Sequence, residues 1–384
     1  MTNPRRMQMA AAGAGGVEEG ALYGWGLTTG GQIGLDSGSG AISVPTQVGA
    51  VETWVKGGQG GQTSDMAVRS DGTLWAWGTN PYGELGQGNT TLSSTPVQVG
   101  SGTDWLKTGD VRDNTVCSSA HYDGGSAMQI IKSDGTLWGW GRNVFGVLGQ
   151  GNTTDYSSPV QVGSGTDWIQ IANGASHIVA LKSGGTMWTW GHGFYGALGL
   201  GANDSESSPV QVGSLTTWRH VGATSRNTYA VKTDNTLWAM GQGSNGEVGD
   251  GTTNNRNSPV QIGTSFSRVY GSRNTGMAIK TDGTLWAWGN NSQGMLGLGD
   301  TTKRSEPIQV GSLSDYYMCG HGGSYTNSFL RTDSSLWTVG KNTNGLLGND
   351  AASNESSPVQ IGTDLSWKFV DGGATHMHAI TGTI

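Results

Sequence analysis

The sequence predicts an all-β protein: a seven-bladed β-propeller closed by pairing of its N- and C-terminal strands. Three observations lead there. One string recurs seven times at a single spacing, the strands within it are apolar on both faces, and the two chain ends form halves of one copy.

The cleanest copy opens Asp71-Gly72-Thr73-Leu74-Trp75-Ala76-Trp77-Gly78. It continues through Gly83-Glu84-Leu85-Gly86 to Thr95-Pro96-Val97-Gln98-Val99-Gly100, with Trp105 beyond. Variants begin at Asp134, Gly184, Asp234, Asp282 and Asp333. The glycine closing the aromatic strand falls at Gly26, Gly78, Gly141, Gly191, Gly241, Gly289 and Gly340, in steps of 52, 63, 50, 50, 48 and 51 residues. A unit of about 50 residues with four short strands is the size of a propeller blade.

Each element follows from local chemistry. Asp-Gly between apolar runs is a hairpin signal, with positive φ expected at both central residues. Leu74-Trp75-Ala76-Trp77 reads as a strand with both tryptophans on one face and Leu74 and Ala76 on the other, so it is buried on both sides. The Pro-Val-Gln-Val-Gly run carries its proline early, which suits an edge strand. No helical period of useful length follows Gly20. The N-terminal Leu22–Trp25 and the C-terminal His376–Thr383 are each half a copy. Joined, they make a composite blade and remove the free edges of the ring. Residues 1–20 are expected to be a leader and 21–384 the propeller.

Composition narrows the function classes. Glycine accounts for 68 of 384 residues, against a usual share of roughly 7%. The 16 tryptophans separate the chain from disordered polar sequences. Net charge is −7 and the basic residues are scattered, which argues against nucleic acid as a partner. Cys117 and Cys319 fall in different copies, so no disulfide framework is expected. No run of 18 apolar residues exists, so no membrane insertion is expected. Met1 to Gly16 is too weakly apolar for a secretory signal, which implies synthesis in the cytoplasm.

Candidate chemistry is sparse, and no catalytic, cofactor-binding or metal residue is assigned. His376 and His378 share a strand face, as metal ligands could, but no third ligand is visible at useful spacing. Asp250-Gly251-Thr252 and Asp300-Thr301-Thr302 suggest calcium loops, yet other copies replace the aspartate by Gln87 and Gln150, and turn capping is the better account. Gly57-Gly58-Gln59-Gly60-Gly61 does not contain the lysine of a phosphate loop. Repetition explains most tryptophans as core. The residues that do not repeat are the better functional candidates. The enlarged copy carries about 13 extra residues around 110–123, expected as a loop on one face of the ring, either the binding face or a tolerated surface insertion. It offers Asp110, Arg112, Asp113, Asn114, His121, Tyr122 and Asp123 as partner-binding candidates.

The strings Leu-Trp-x-Trp-Gly, Gly-x-Leu-Gly and Ser-Pro-Val-Gln-Val-Gly, with Gly174-Ala175-Ser176-His177 and Gly373-Ala374-Thr375-His376, resemble the regulator of chromosome condensation repeat family over nearly the whole chain. The resemblance implies a seven-bladed propeller. The best-known member is an exchange factor for a small nuclear GTPase. That activity is not carried over, because these copies look like the simpler bacterial and phage type.

Met1–Gly13 is similar to the opening of structural proteins of tailed marine bacteriophages. That resemblance implies a non-enzymatic virion protein, displayed on the particle surface and anchored through Pro4, Arg5, Arg6, Met7 and Met9. Its partners would be other virion proteins, with a host surface protein or glycan as further contacts. The alternatives are a soluble propeller binding a regulatory protein such as a small GTPase, and a receptor- or glycan-binding adhesin. Scaffold alone does not decide among them.

Overall fold

A computed structural model describes residues 19–36, 38, 40–57, 61, 63–105, 117–122, 125–321, 325–363 and 365–382. It contains seven four-stranded antiparallel sheets. Six are built from consecutive strands, as in Trp54–Gly57, Ser64–Arg69, Leu74–Gly78 and Ser93–Gln98. The seventh is composite, in the order Ala41–Gln47, Leu22–Leu27, His376–Thr381, Trp367–Gly372. Its seam runs Leu22↔Ile380, Tyr23↔Ala379, Gly24↔His378, Trp25↔Met377 and Gly26↔His376. The expected closure is therefore present, while Thr383 lies outside the described residues.

The third strand of each blade is buried on both faces, as its sequence requires. Leu74, Ala76 and Trp77 are fully buried, and Trp75 is half-buried. The outermost strand carries the proline. Its register slips between Ala76 and Gly78, so Pro96 sits at a bulge where no ladder donor is needed.

The Asp-Gly turns differ from expectation. Only Gly72 has positive φ, at 79°, and Asp71 does not. Gly72 N–H donates to Arg69 O at 3.0 Å and Arg69 N–H to Thr73 O at 3.0 Å, which makes a three-residue loop with glycine in the left-handed position. Asp71 instead caps the turn, its Oδ1 accepting from Thr73 N–H at 3.0 Å and from Thr73 Oγ1 at 2.6 Å. Thr73 Oγ1 in turn accepts from Trp75 Nε1 at 2.8 Å.

Blades are joined through Gly-x-Leu-Gly. The carbonyl of its second residue accepts a hydrogen bond from the next blade. Five of the donors are tryptophan Nε1 atoms: Trp77 to Gln32 O (2.9 Å), Trp140 to Glu84 O (2.7 Å), Trp190 to Val147 O (2.8 Å), Trp288 to Glu247 O (3.0 Å) and Trp25 to Leu346 O (2.9 Å). Two copies have Met240 and Val339 in the tryptophan position. There the cross-strand neighbour supplies the donor, Thr228 Oγ1 to Ala197 O at 2.8 Å and Asn327 Nδ2 to Met295 O at 2.7 Å.

Trp140→Phe removes the donor and leaves Glu84 O without its interblade partner in the core. A loss of about 2–4 kcal/mol is expected from the orphaned carbonyl and the smaller ring. Urea unfolding of the full chain checks it, and an unchanged midpoint would refute the staple.

Candidate interaction face

One end of the ring is built from three recurring pieces: the residue after the closing glycine, the residues before Gly-x-Leu-Gly, and the segment entering the second strand. The entering segments interlock near the axis. Ala175 N–H donates to Ser225 O at 3.2 Å, Ser225 N–H to Arg273 O at 2.8 Å, and Ala374 N–H to Gly61 O at 3.2 Å. The strands thus carry the side chains at these positions to a common mouth.

At this mouth lies a cavity of about 670 Å³, lined among others by Phe145, His192, Phe194, Tyr195, Arg226 and Arg273. His192 stacks on Phe145 at 4.0 Å between ring centroids and lies 4.6 Å from Phe194. Phe194 is 57% exposed. The Arg226 guanidinium sits 5.0 Å from the centre of the Tyr195 ring, and Arg273 lies 4.8 Å from that of Tyr325. Arg142 covers Tyr82 in the same way at 4.5 Å. Burial and the neighbouring Arg226 charge both hold His192 below the usual histidine range. Phe145 and Tyr195 have positive φ, 62° and 60°. Asn344, in the same slot of another blade, has a φ of 60°, so the turn of the repeat sets this backbone. Cations lying over open aromatic faces suit contact with another protein.

The floor of the cavity holds His177, which is fully buried and whose Nε2 lies 3.0 Å from Thr228 Oγ1 of the next blade. Burial pushes its pKa down to about 4. His376, the second repeat histidine, is likewise buried, with Nε2 3.2 Å from Asp65 Oδ2.

The residues proposed from sequence fare differently. Asp110, Arg112, Asp113, Asn114 and Asp123 lie outside the described residues, as do Pro4, Arg5, Arg6, Met7 and Met9. His121 and Tyr122 were expected in a loop. The structure corrects this, because they belong to the Cys117–Tyr122 strand paired with Gly125–Ile131. Hydrogen bonding to that neighbour makes the segment part of the blade itself. The turn-capping account of the two aspartates agrees with the structure. Asp250 Oδ1 accepts from Thr252 N–H and Oγ1 while Oδ2 takes Arg256 Nε at 2.6 Å. Asp300 does the same with Thr302 N–H and Arg304.

The missed residues are Phe145, Phe194, Tyr195, Arg226 and Arg273. The aromatic ones had a signal: Val144-Phe145 and Phe194-Tyr195, like Pro81-Tyr82, depart from the polar filling that the remaining four copies use before Gly-x-Leu-Gly.

Four segments, residues 71–110, 134–181, 184–231 and 282–326, match the Regulator of chromosome condensation (RCC1) repeat. Among similar proteins, the ultraviolet-B receptor UVR8 of Arabidopsis thaliana is 32% identical over 45% of the chain and 38% of its own length. The human E3 ubiquitin-protein ligase HERC2 is 32% identical over 43% of the chain and 3% of its own length. The chain therefore spans well under two thirds of these relatives. Two solved structures share the fold. Prp20p of Saccharomyces cerevisiae, described with its binding to Gsp1p and histones, has a TM-score of 0.80 at 17% identity, covering 96% of this chain and 92% of that one. Human WBSCR16 has a TM-score of 0.81 at 18% identity, covering 95% and 99%. None of these relatives supports the expected phage-type character.

The cavity floor makes a pH prediction. A buried histidine held near pH 4 stays neutral while its unfolded counterpart protonates near 6.5. The unfolded chain then binds more protons, so stability present at neutral pH is lost as pH falls from 6.5 to 4. The loss is on the order of 3 kcal/mol. His177→Asn, which copies Asn227 of the next blade, should flatten this part of the slope. Denaturant midpoints at pH 7 and 4.5 measure the difference, and parallel slopes in both proteins would contradict it.

Proposed function

We propose that this propeller is a non-enzymatic protein–protein interaction module whose partner docks on the aromatic and cationic mouth, and that the partner is a regulatory protein such as a small GTPase. The observation that carries the reading is the half-open stack of Phe145, His192 and Phe194 beside Tyr195 and Arg226. An exposed phenylalanine among arginines and rigid aromatics has the composition of an interface hot spot. The mouth is basic on a chain of net charge −7, so it complements a partner that offers an acidic patch with an apolar prong. The shared fold with Prp20p, and that protein's described binding to Gsp1p, support a GTPase as the partner class.

Titration against Gsp1p loaded with fluorescent GDP tests this. Binding is expected, with Phe194→Ala and Arg226→Glu each weakening it by about 30-fold, the cost of a hot-spot truncation. Circular dichroism of both variants should match that of the parent. A chain that neither binds nor speeds GDP release removes the GTPase from consideration. Binding that both variants leave intact removes the mouth.

A further inference from the structure

At the border between the composite blade and its successor, Asp65 meets His376 and His378, which stand more than 300 residues further along the chain. Their side chains are 1%, 0% and 2% exposed. Among the described residues they form the one group of three histidine, cysteine or carboxylate donors close enough to share an ion, with donor atoms within 4.8 Å of one another.

The fold does not require these residues. Paired register places Met128, Ile178, Thr228, Gly276 and Asn327 at the position of Asp65 in other blades. Met66, Gln129, Val179, Tyr229, Met277 and Ser328 hold the position of His378. None of these side chains is charged. A carboxylate taken fully out of water is costly unless a cation compensates it.

The geometry says where that cation belongs. His378 Nε2 faces the Ile33 carbonyl at 3.1 Å, so this nitrogen carries a hydrogen and donates it. Nδ1 of the same ring lies 2.6 Å from Asp65 Oδ2 and makes no hydrogen bond. With Nε2 committed to Ile33 O, Nδ1 is the atom of this ring placed to meet an ion beside Asp65 Oδ2. His376 Nε2 approaches the same oxygen at 3.2 Å. Outer contacts are already in place: Asp65 Oδ1 accepts from Met66 N–H at 2.7 Å, and His378 Nε2–H is held by Ile33 O. Metal-binding histidines and carboxylates are oriented by bonds of this kind.

We propose that Asp65 Oδ2, His376 Nε2 and His378 Nδ1 bind one divalent ion of the zinc class, which clamps the C-terminal strand to the adjoining blade. Two imidazoles and one carboxylate suit such an ion. Its place at the seam gives it a structural role.

The full chain, unfolded in guanidinium and refolded with Zn²⁺ or with chelator, tests the site by elemental analysis and thermal melting. About one equivalent of zinc and a melting temperature several degrees above the chelated protein are expected. Refolding with Co²⁺ should give visible absorption bands of nitrogen and oxygen ligation. Asp65→Thr with His378→Val recreates the contact between the two blades where His177 meets Thr228. This variant should fold, retain His376, bind less than a tenth of an equivalent and melt at a temperature that zinc does not move. Native protein that takes up no zinc and melts identically with zinc and chelator overturns the proposal, and leaves the 2.6 Å contact as a proton-bridged ion pair. Zinc uptake undiminished in the double variant also overturns it, by placing the ion elsewhere.

Discussion

Every blade boundary depends on one buried carbonyl, that of the second residue in Gly-x-Leu-Gly. It belongs to a tight turn whose glycines leave no room for other chain: a Cβ at Gly86 would come within 3.0 Å of the Trp140 indole nitrogen. A carbonyl so enclosed needs a protein donor; the adjoining blade supplies one at every boundary, and Gln129 Nε2 and Tyr229 Oη add a second from within the blade to Val147 O and Glu247 O. The need for a donor there is stricter than the need for any particular side chain. Where tryptophan gives way to Met240 or Val339, the donor moves across the strand pair to Thr228 or Asn327 and reaches the same acceptor. Met240 with Thr228 and Val339 with Asn327 are therefore compensated pairs.

This explains why the fold was legible and the details were not. Period, burial on both faces and split ends are properties of local strings, and they lead directly to seven blades and a composite seam. Turn geometry was misjudged because Asp-Gly also suits a three-residue loop, in which aspartate caps and only glycine turns left-handed. Non-glycine residues at that left-handed position, Asn235 and Ser334, show that the loop is preserved when the dipeptide is not. His121 and Tyr122 were placed in a loop because the extra length of their copy hid the strand that register with Gly125–Ile131 makes plain.

The interaction face illustrates a different limit. Phe194 stands out once each copy is compared with its neighbours, because it is the one aromatic residue in its slot, while Tyr195 shares an aromatic slot with Tyr82 and Phe145 but with no other copy. Arg226 and Arg273 do not stand out, since single arginines on a polar loop carry no signal in a sequence. They matter because strand entry points from successive blades converge on the axis, which periodicity does not encode. Function on a propeller arises from what adjacent blades do not share, gathered at one end of the ring.

The same reasoning applies at the seam. A ring closed by hydrogen bonding between the chain's first and last strands holds its ends by backbone pairing and by packing against both neighbours. On one side Trp25 donates to Leu346 O, the staple used throughout. On the other, Trp77 donates to Gln32 O, and Asp65, His376 and His378 add a charged contact found at no other described boundary. A charge cluster is a poor general stabiliser, because desolvation consumes much of its Coulomb energy. It does, however, tolerate few alternative partners. Seven similar blades offer the C-terminal strand several similar edges to pair with, and apolar packing discriminates weakly among them. Only the blade carrying Asp65 can satisfy both histidines, so the cluster specifies which edges meet.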